Sequence, residues 1–286
     1  MSQTINTNIA SLIAQRNLNQ SQSSLATSMQ RLSSGMRINS AADDAAGLGI
    51  ATRMDAQVRG MNVAIRNAND AISLTQTAEG ALGSIGDALQ RMRELAVQSA
   101  NASNSGADKD SLNSEFNQLA REIQRIAGGT SFNGITVLGA SAGGQAYQVG
   151  ANTSGNDSIT VTTSNIQTNV SIVSVAGNSV GAGIATIDST QTLGQIDTVI
   201  NNIDAAINTI NTQRGLMGAA QSRFNEVISN LQTSVVNQSA AKSRIMDADF
   251  AAETANMSRA SILQQAGNAM IAQANQQPQL VLKLLQ

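Results

Sequence analysis

Histidine and cysteine are both absent from the 286 residues. Without cysteine there is no disulfide, no thiol redox chemistry and no thiolate nucleophile, and without either residue the usual zinc ligands are missing. The commonest general base is lost as well. Aromatic residues make up 2% of the chain and proline occurs once, a balance that points away from a globular enzyme and toward rods of packed helices. No apolar run approaches about 18 residues, so no membrane span is expected. Met1 to Asn8 has neither a basic nor an apolar region, so a cleaved secretory signal is not expected and export would need a route without one. Lysine and arginine together number 17 against 19 carboxylates, a net charge of −2. That leaves no basic field for nucleic acid and no polybasic tract for a membrane surface.

What the chain does have is periodicity. From Leu193, steps alternating between three and four visit Ile196, Ile200, Ile203, Ile207, Ile210, Arg214, Met217, Gln221, Phe224, Ile228, Leu231, Val235 and Gln238. A stripe apolar at all but three of these positions reads as a coiled-coil helix of about 69 Å. One such helix cannot bury its own stripe and requires partners of matching length.

The partners are legible elsewhere. Ile5, Ile9, Leu12, Leu18, Leu25, Met29 and Leu32 mark a first amphipathic helix, ended by Ser33-Ser34-Gly35. Ser40 and Asp43 resemble a capping box for a second helix over about 43–100, with Asp44 adding charge that suits a helix start. Its heptad runs through Met54, Val58, Met61, Ile65, Ala68, Ile72 and Thr75, slips by one residue, and resumes at Ala78, Leu82, Ile85, Leu89, Met92, Ala96 and Ser99. Gly80, Gly83 and Gly86 sit at the slip and are expected to mark close backbone approach. Leu112, Phe116, Leu119, Ile123 and Ile126 give a third helix stopped by Gly128-Gly129. Over 130–190 the period becomes two, with strands expected at Ile135–Leu138, Tyr147–Val149, Ile159–Thr162 and Val170–Val175, and a turn at Asn133-Gly134. A last helix, capped by Asp247 and Asp249, carries Leu263, Ala266, Met270, Gln273, Gln277, Leu280 and Leu284, and Pro278 is expected to kink or end it. The fold class expected is therefore mainly α: long coiled-coil helices in a discontinuous bundle, paired terminal helices and a small β-rich insert. The expected domains are 1–40 with 245–286, 41–130 with 190–244, and an exposed segment at 131–189.

Leu32-Ser-Ser-Gly-Met-Arg-Ile-Asn-Ser-Ala-Ala-Asp-Asp-Ala-Ala-Gly47 resembles the N-terminal signature of bacterial flagellins. Ser243-Arg-Ile-Met-Asp-Ala-Asp-Phe250, Asn256–Gly267 and Ala272–Pro278 resemble the C-terminal counterpart. The likeness covers roughly 1–140 and 190–286. It implies a structural subunit that polymerises into the extracellular flagellar filament for swimming motility, in a short form without large outer domains. The terminal helices would fold on assembly, with Ile5, Ile9, Leu12, Leu25, Leu263, Met270, Leu280 and Leu284 packing the filament core. Export through the flagellar type III channel is implied, as are partners: identical subunits, a filament cap protein, hook-junction proteins and a cytosolic export chaperone. By the same resemblance, Arg91, Leu95 and Glu115 match a pattern read by a host Toll-like receptor in the free monomer. The simpler reading of Arg91, Arg93 and Glu94 is a solvated face or a contact between subunits.

No catalytic site, cofactor or metal is expected: no nucleophile elbow, phosphate loop or metal motif is present, and Asp43-Asp44 and Asp247/Asp249 read as caps rather than a cation site. The Ser/Thr-rich stretch from Ser154 to Thr192 is expected to be a plain polar surface, with O-linked glycans as the alternative. A hook–filament junction protein or a type III secretion tip protein is the alternative function.

Overall fold

The computed structural model describes residues 7–178 and 181–284, with side chains as far as residue 276. Helices α1 (Ile9–Ser34), α2 (Ala45–Ser99) and α3 (Gly106–Gly129) precede strands β1 (Ser131–Phe132), β2 (Ile135–Thr136), β3 (Gly144–Gln148) and β4 (Ser158–Thr162). Helices α4 (Val170–Ala176), α5 (Leu193–Met246) and α6 (Phe250–Leu284) complete the chain. The chain divides into two compact units, residues 1–56 with 236–286 and residues 57–235.

Local chemistry explains the helix ends. Gly35, at φ 70°, closes α1 in the left-handed conformation, with its N–H donated to the Arg31 carbonyl, a backbone state that favours glycine. Half of the expected capping box forms at Ser40–Asp43: Asp43 Oδ2 accepts from the Ser40 and Asn39 N–H groups at 2.9 and 3.1 Å, while the Asp43 N–H goes to the Ser40 carbonyl and not to its hydroxyl. This half-box closes the turn before α2, however, and Asp44 Oδ1 takes the Gly47 N–H at 2.8 Å and caps the helix itself. Ser105 and Asp108 form a reciprocal box at the start of α3. Asp249 Oδ1 accepts from the Ala251 and Ala252 N–H groups and caps α6. Asp247 instead accepts the Ser243 hydroxyl and does not cap. Pro278 does not end α6, which runs on to Leu284.

In the 57–235 unit the buried stripe of α2 is Met61, Ala64, Ala68, Ala71, Thr75, Ala78, Leu82, Ile85, Leu89, Met92, Ala96 and Ser99. This is an unbroken three-four alternation. The expected phase slip is an artefact of following the larger residues, because Ala64 and Ala71 occupy the seam while Ile65 and Ile72 lie half-buried beside it. The glycines at the supposed slip mark no close approach. Added Cβ atoms at Gly80 and Gly83 would meet nothing within 4 Å, and at Gly86 only Ile210 Cγ2 at 3.8 Å. In α5 the same correction applies. Ile196, Ile203, Ile210, Met217, Phe224 and Leu231 are buried as expected, but Val199 and Ala206 hold the other seam positions, with Ile200 and Ile207 packed at the flank.

The segment 131–189 departs further from its reading. Asn133 and Gly134, at φ 49° and 80°, make the expected tight turn and join β1 to β2 in antiparallel register. Strands β3 and β4 pair with Tyr147 opposite Ile159. Val170–Val175 is not a strand: it lies in α4, capped by the Asn169 side chain on the Ser171 N–H. Ile172, Val175 and Ala176 therefore sit on one helical face in the core. Nor is the segment simply exposed, since Val137, Leu138, Val149, Ile159, Val161, Ile166 and Ile187 share one buried cluster with α2, α3 and α5. Buried Ser99 Oγ donates to the Ile187 carbonyl and Gln124 Nε2 to the Gly177 carbonyl, which fastens the loops to the helices.

Candidate assembly interface

The unit built from both chain ends holds the candidate site. Helix α1 packs antiparallel along α6. Asn8 at the start of α1 meets Ala274, Leu18 meets Gly267, and Arg31 approaches Glu253. The buried and half-buried residues of α1 are chiefly Ser11, Ala14, Leu18, Ser21, Leu25, Ser28 and Leu32. Those of α6 are Glu253, Met257, Ala260, Gln264, Gly267, Ile271 and Ala274. Both sets step by three and four. Leu18, Leu25 and Leu32 repeat at sevens on one helix, and Ala260, Gly267 and Ala274 repeat at sevens on the other, so large residues meet small ones. At Gly267 an added Cβ would lie 3.3 Å from Leu18 Cδ1, which makes glycine the residue that admits the leucine.

The candidate packing residues divide. Leu25 is half-buried in the α1–α6 seam. Ile9, Leu12, Leu263 and Met270 are not in it: they are 58, 55, 51 and 60% exposed. Ala266 and Gln273 of the expected stripe are exposed too, so the stripe of α6 that faces α1 lies one residue along from the one read in the sequence. Ile5 lies outside the described residues, as do the side chains of Leu280 and Leu284. Ile13, Met29 and Ile262, which the sequence reading passed over as packing residues, are also more than half exposed. Ile13 and Ile262 each stand one residue from an expected stripe residue, Leu12 and Leu263, while Met29 was in the expected stripe of α1 itself. The two terminal helices thus carry a small-residue seam between them and an apolar stripe each on the outside.

The two signature blocks meet at the base of this pair. Gly35 O accepts the Ala248 N–H at 3.0 Å and the Arg37 N–H reaches Met246 O at 2.7 Å, with Met36 bridging Asp247. The Arg37 side chain sends Nε and Nη2 to Ile245 O at 3.2 and 2.7 Å. That carbonyl is among the last of α5, which has no helical donor left for it and whose dipole favours a cation. Ile38 is 1% exposed, and Lys242 Nζ pairs with Asp55 between α5 and α2. Arg31 Nε is buried without an acceptor, and Nη1 of the same guanidinium lies 4.0 Å from Glu253 Oε2.

Arg91, Leu95 and Glu115 lie in the other unit. Arg91 Nε and Glu115 Oε1 are brought together at 2.9 Å, with Glu94 Oε2 also 2.9 Å from Arg91. Arg93 pairs with Asp204 of α5 at 2.7 Å. The Glu94 and Glu115 hydrogen bonds hold the Arg91 guanidinium more firmly protonated, and Asp204 does the same for Arg93. These charges are an exposed α2 face tied to its neighbours α3 and α5. Leu95 is separated from them, at 0% exposure in the core. As a surface contact of the folded chain, Leu95 is ruled out by burial: on α2 it falls beside the seam residues Met92 and Ala96, a turn away from Arg91.

The acidic residues considered for a cation are engaged otherwise. Hydrogen bonds from Ser40 and Asn39 keep the Asp43 carboxyl below its usual range, and those from Ser105 do so for Asp108. No group of three or more candidate ligands occurs among the described residues, and none of their helices is long and apolar enough to cross a membrane.

Comparison with known proteins gives a consistent result. Residues 5–142 match the bacterial flagellin N-terminal helical region and residues 200–285 the bacterial flagellin C-terminal helical region. A flagellin of Halalkalibacterium halodurans is 42% identical over 281 residues, covering 98% of this chain and 99% of that one. One from Xenorhabdus nematophila is 43% identical, with both chains covered fully. A solved structure described as a flagellar hook-associated protein from Vibrio parahaemolyticus shares the fold at a TM-score of 0.61 and 13% identity, covering 72% of this chain and 100% of that one.

Proposed function

The chain belongs to the bacterial flagellin family, and from that premise we propose that it is a subunit of the flagellar filament, assembled through its paired terminal helices for swimming motility. The observation that carries this is the doubled stripe. Ile9, Leu12, Ile13 and Met29 on α1, and Ile262, Leu263 and Met270 on α6, stay more than half exposed after the two helices have packed. Each such side chain gains on the order of 1.5–3 kcal/mol on full burial. Identical subunits stacked side by side cover them, and the helices order as they dock. The mating surface is then apolar within and carries no net demand for charge. The structural role is the chain's whole function in this reading, without catalysis or a cofactor, and its place is outside the cell in the filament.

Electron microscopy of the full-length chain against a form lacking 1–35 and 250–286 tests it. Long tubes from the full-length chain and a folded, non-assembling helical monomer from the other are the expected results. Tubes from both would remove the terminal helices from the mechanism. A hook-junction role shares the fold, but the end-to-end identity with filament subunits favours the filament.

Further partners follow as part of the same reading: a cap protein at the growing tip, hook-junction proteins at the base, and an export chaperone on the α6 stripe before assembly. For a host Toll-like receptor, the Arg91–Glu115 pair supplies the exposed chemistry, and Leu95 acts from beneath by fixing the helix. Monomer is expected to activate the receptor while cross-linked filament does not; equal activity of the two rejects this part.

A further inference from the structure

We propose that Arg37 sets the register between α1 and α6, choosing it from two that the seam itself would accept; the inference rests on the reading of these helices as the assembling pair. Leu18 sits against Gly267. By heptad steps Leu25 then faces Ala260 and Leu32 faces Glu253. Slide α1 along α6 by seven residues, about 10.5 Å, and Leu18 faces Ala274, Leu25 faces Gly267 and Leu32 faces Ala260. All three leucines then meet a small residue, whereas in the observed register Leu18 and Leu25 do and Leu32 opposes the Glu253 carboxylate. The large-into-small pattern therefore does not select the observed register, and the choice falls to polar contacts, as it does in a coiled coil of uniform apolar seam.

Polar contacts across the pair make the choice, and they lie at its two ends. At the far end Asn8 Nδ2 donates to Ala274 O at 2.8 Å and Ser11 Oγ to Asn275 Oδ1 at 2.9 Å, within one turn of the start of α1. At the near end the clasp of Gly35, Met36 and Arg37 on Ile245, Met246, Asp247 and Ala248 stands directly at the end of α1 and the start of α6. No slack separates the clasp from either helix, so any slide must open it. Within the clasp, Arg37 alone contributes a side chain, and it places two donors on one orphan carbonyl. It is a positioning residue: it touches neither outer stripe and acts only through the alignment of the pair.

The cysteine-free chain allows a direct test by disulfide trapping in the full-length protein. Ser21→Cys with Gln264→Cys reports the observed register, and Ser28→Cys with Gln264→Cys the register seven residues away. In the parent background the first pair is expected to close at least about tenfold faster than the second, in polymer where polymer forms and in soluble chain otherwise. Arg37→Ala is expected to shrink that ratio by roughly threefold to tenfold, the range of one net hydrogen bond at an exposed site. Arg37→Lys, with one donor centre, should restore part of it. The fluorescence of Tyr147, in the other unit, checks that the rest of the chain stays folded. Equal loss of both closures with the ratio unchanged would make Arg37 merely stabilising and overturn the proposal. So would an unaltered ratio, or a parent ratio near one. A parent chain that traps the first pair but never forms tubes leaves the register assignment standing and rejects the filament reading instead.

Discussion

The seam of the 57–235 unit and the seam of the terminal pair follow the same three-four spacing but are filled differently. In the first, Leu82, Ile85, Leu89, Met92, Ile203, Ile210 and Phe224 are all at or near zero exposure. In the second, serine, alanine and glycine take half the positions, and Ile9, Leu12, Ile13, Met29, Ile262, Leu263 and Met270 lie outside. One seam is complete within a single chain. The other leaves its hydrophobic surface for neighbours, so stability in the first unit belongs to the monomer and stability in the second to the assembly.

The largest expected break in this contrast is Phe224→Ala. Phe224 is fully buried and meets Tyr147 edge-on, with ring centroids 6.0 Å apart. Its removal should cost about 3–5 kcal/mol and lower the thermal midpoint read by Tyr147, the single tyrosine in a chain without tryptophan. Met270→Ser should do the reverse. At 60% exposure it should leave that midpoint unchanged while raising the concentration needed for polymer by about tenfold, near 1.4 kcal/mol per subunit, as measured by sedimentation. A fall in the monomer midpoint would mean that Met270 is buried within one chain after all.

Gly267→Val sharpens the same contrast. A Cβ 3.3 Å from Leu18 Cδ1 should wedge α1 from α6 at a cost of about 1–3 kcal/mol, lowering polymer yield without touching the tyrosine signal. The smallest effect is that of acid. Hydrogen bonds hold Asp43, Asp108 and Asp110 below the ordinary 3.8. A carboxylate lowered on folding adds stability above its unfolded pKa that is lost as pH falls through its folded value. Stability should thus be flat from neutrality to about pH 5 and decline below about pH 4. Asp108→Asn should flatten that acid limb slightly in a pH series of melts, and an unchanged limb would remove this cap from the account.

Much of this was legible in the residues. Five of the six helices, the Asn133-Gly134 turn, the Asp249 cap, both seam positions of α2 from Ala78 onward and one of the two in the rest of α2 and in α5 follow from spacing and capping chemistry. The other seam position in the first half of α2 and in α5 was missed for one reason. Ile65, Ile72, Ile200 and Ile207 are more conspicuous than Ala64, Ala71, Val199 and Ala206, and a stripe scored by hydrophobicity drifts toward the larger neighbour. Close-packed helices prefer the smaller residue in the seam. The same drift put Leu263 and Met270 in the terminal pair when they belong outside it. Val170–Val175 was misread for a related cause: alternation of Val, Ile and Ser suits a strand of period two, and Asn169 capping with the Ile172, Val175 and Ala176 face makes it a helix.

The sequence by itself determined the family, the helical class, the absence of thiol and imidazole chemistry, and the amphipathic character of both chain ends, because each depends on residue identity and local period. Tertiary structure alone decided which of two adjacent stripes packs inward, that Leu95 is core while Arg91 and Glu115 meet at the surface, and that Arg37 closes on the end of α5. These are outcomes of distance between residues far apart in the chain. Hydrophobicity sets which faces must be covered, and only the approach of a second helix settles what covers them.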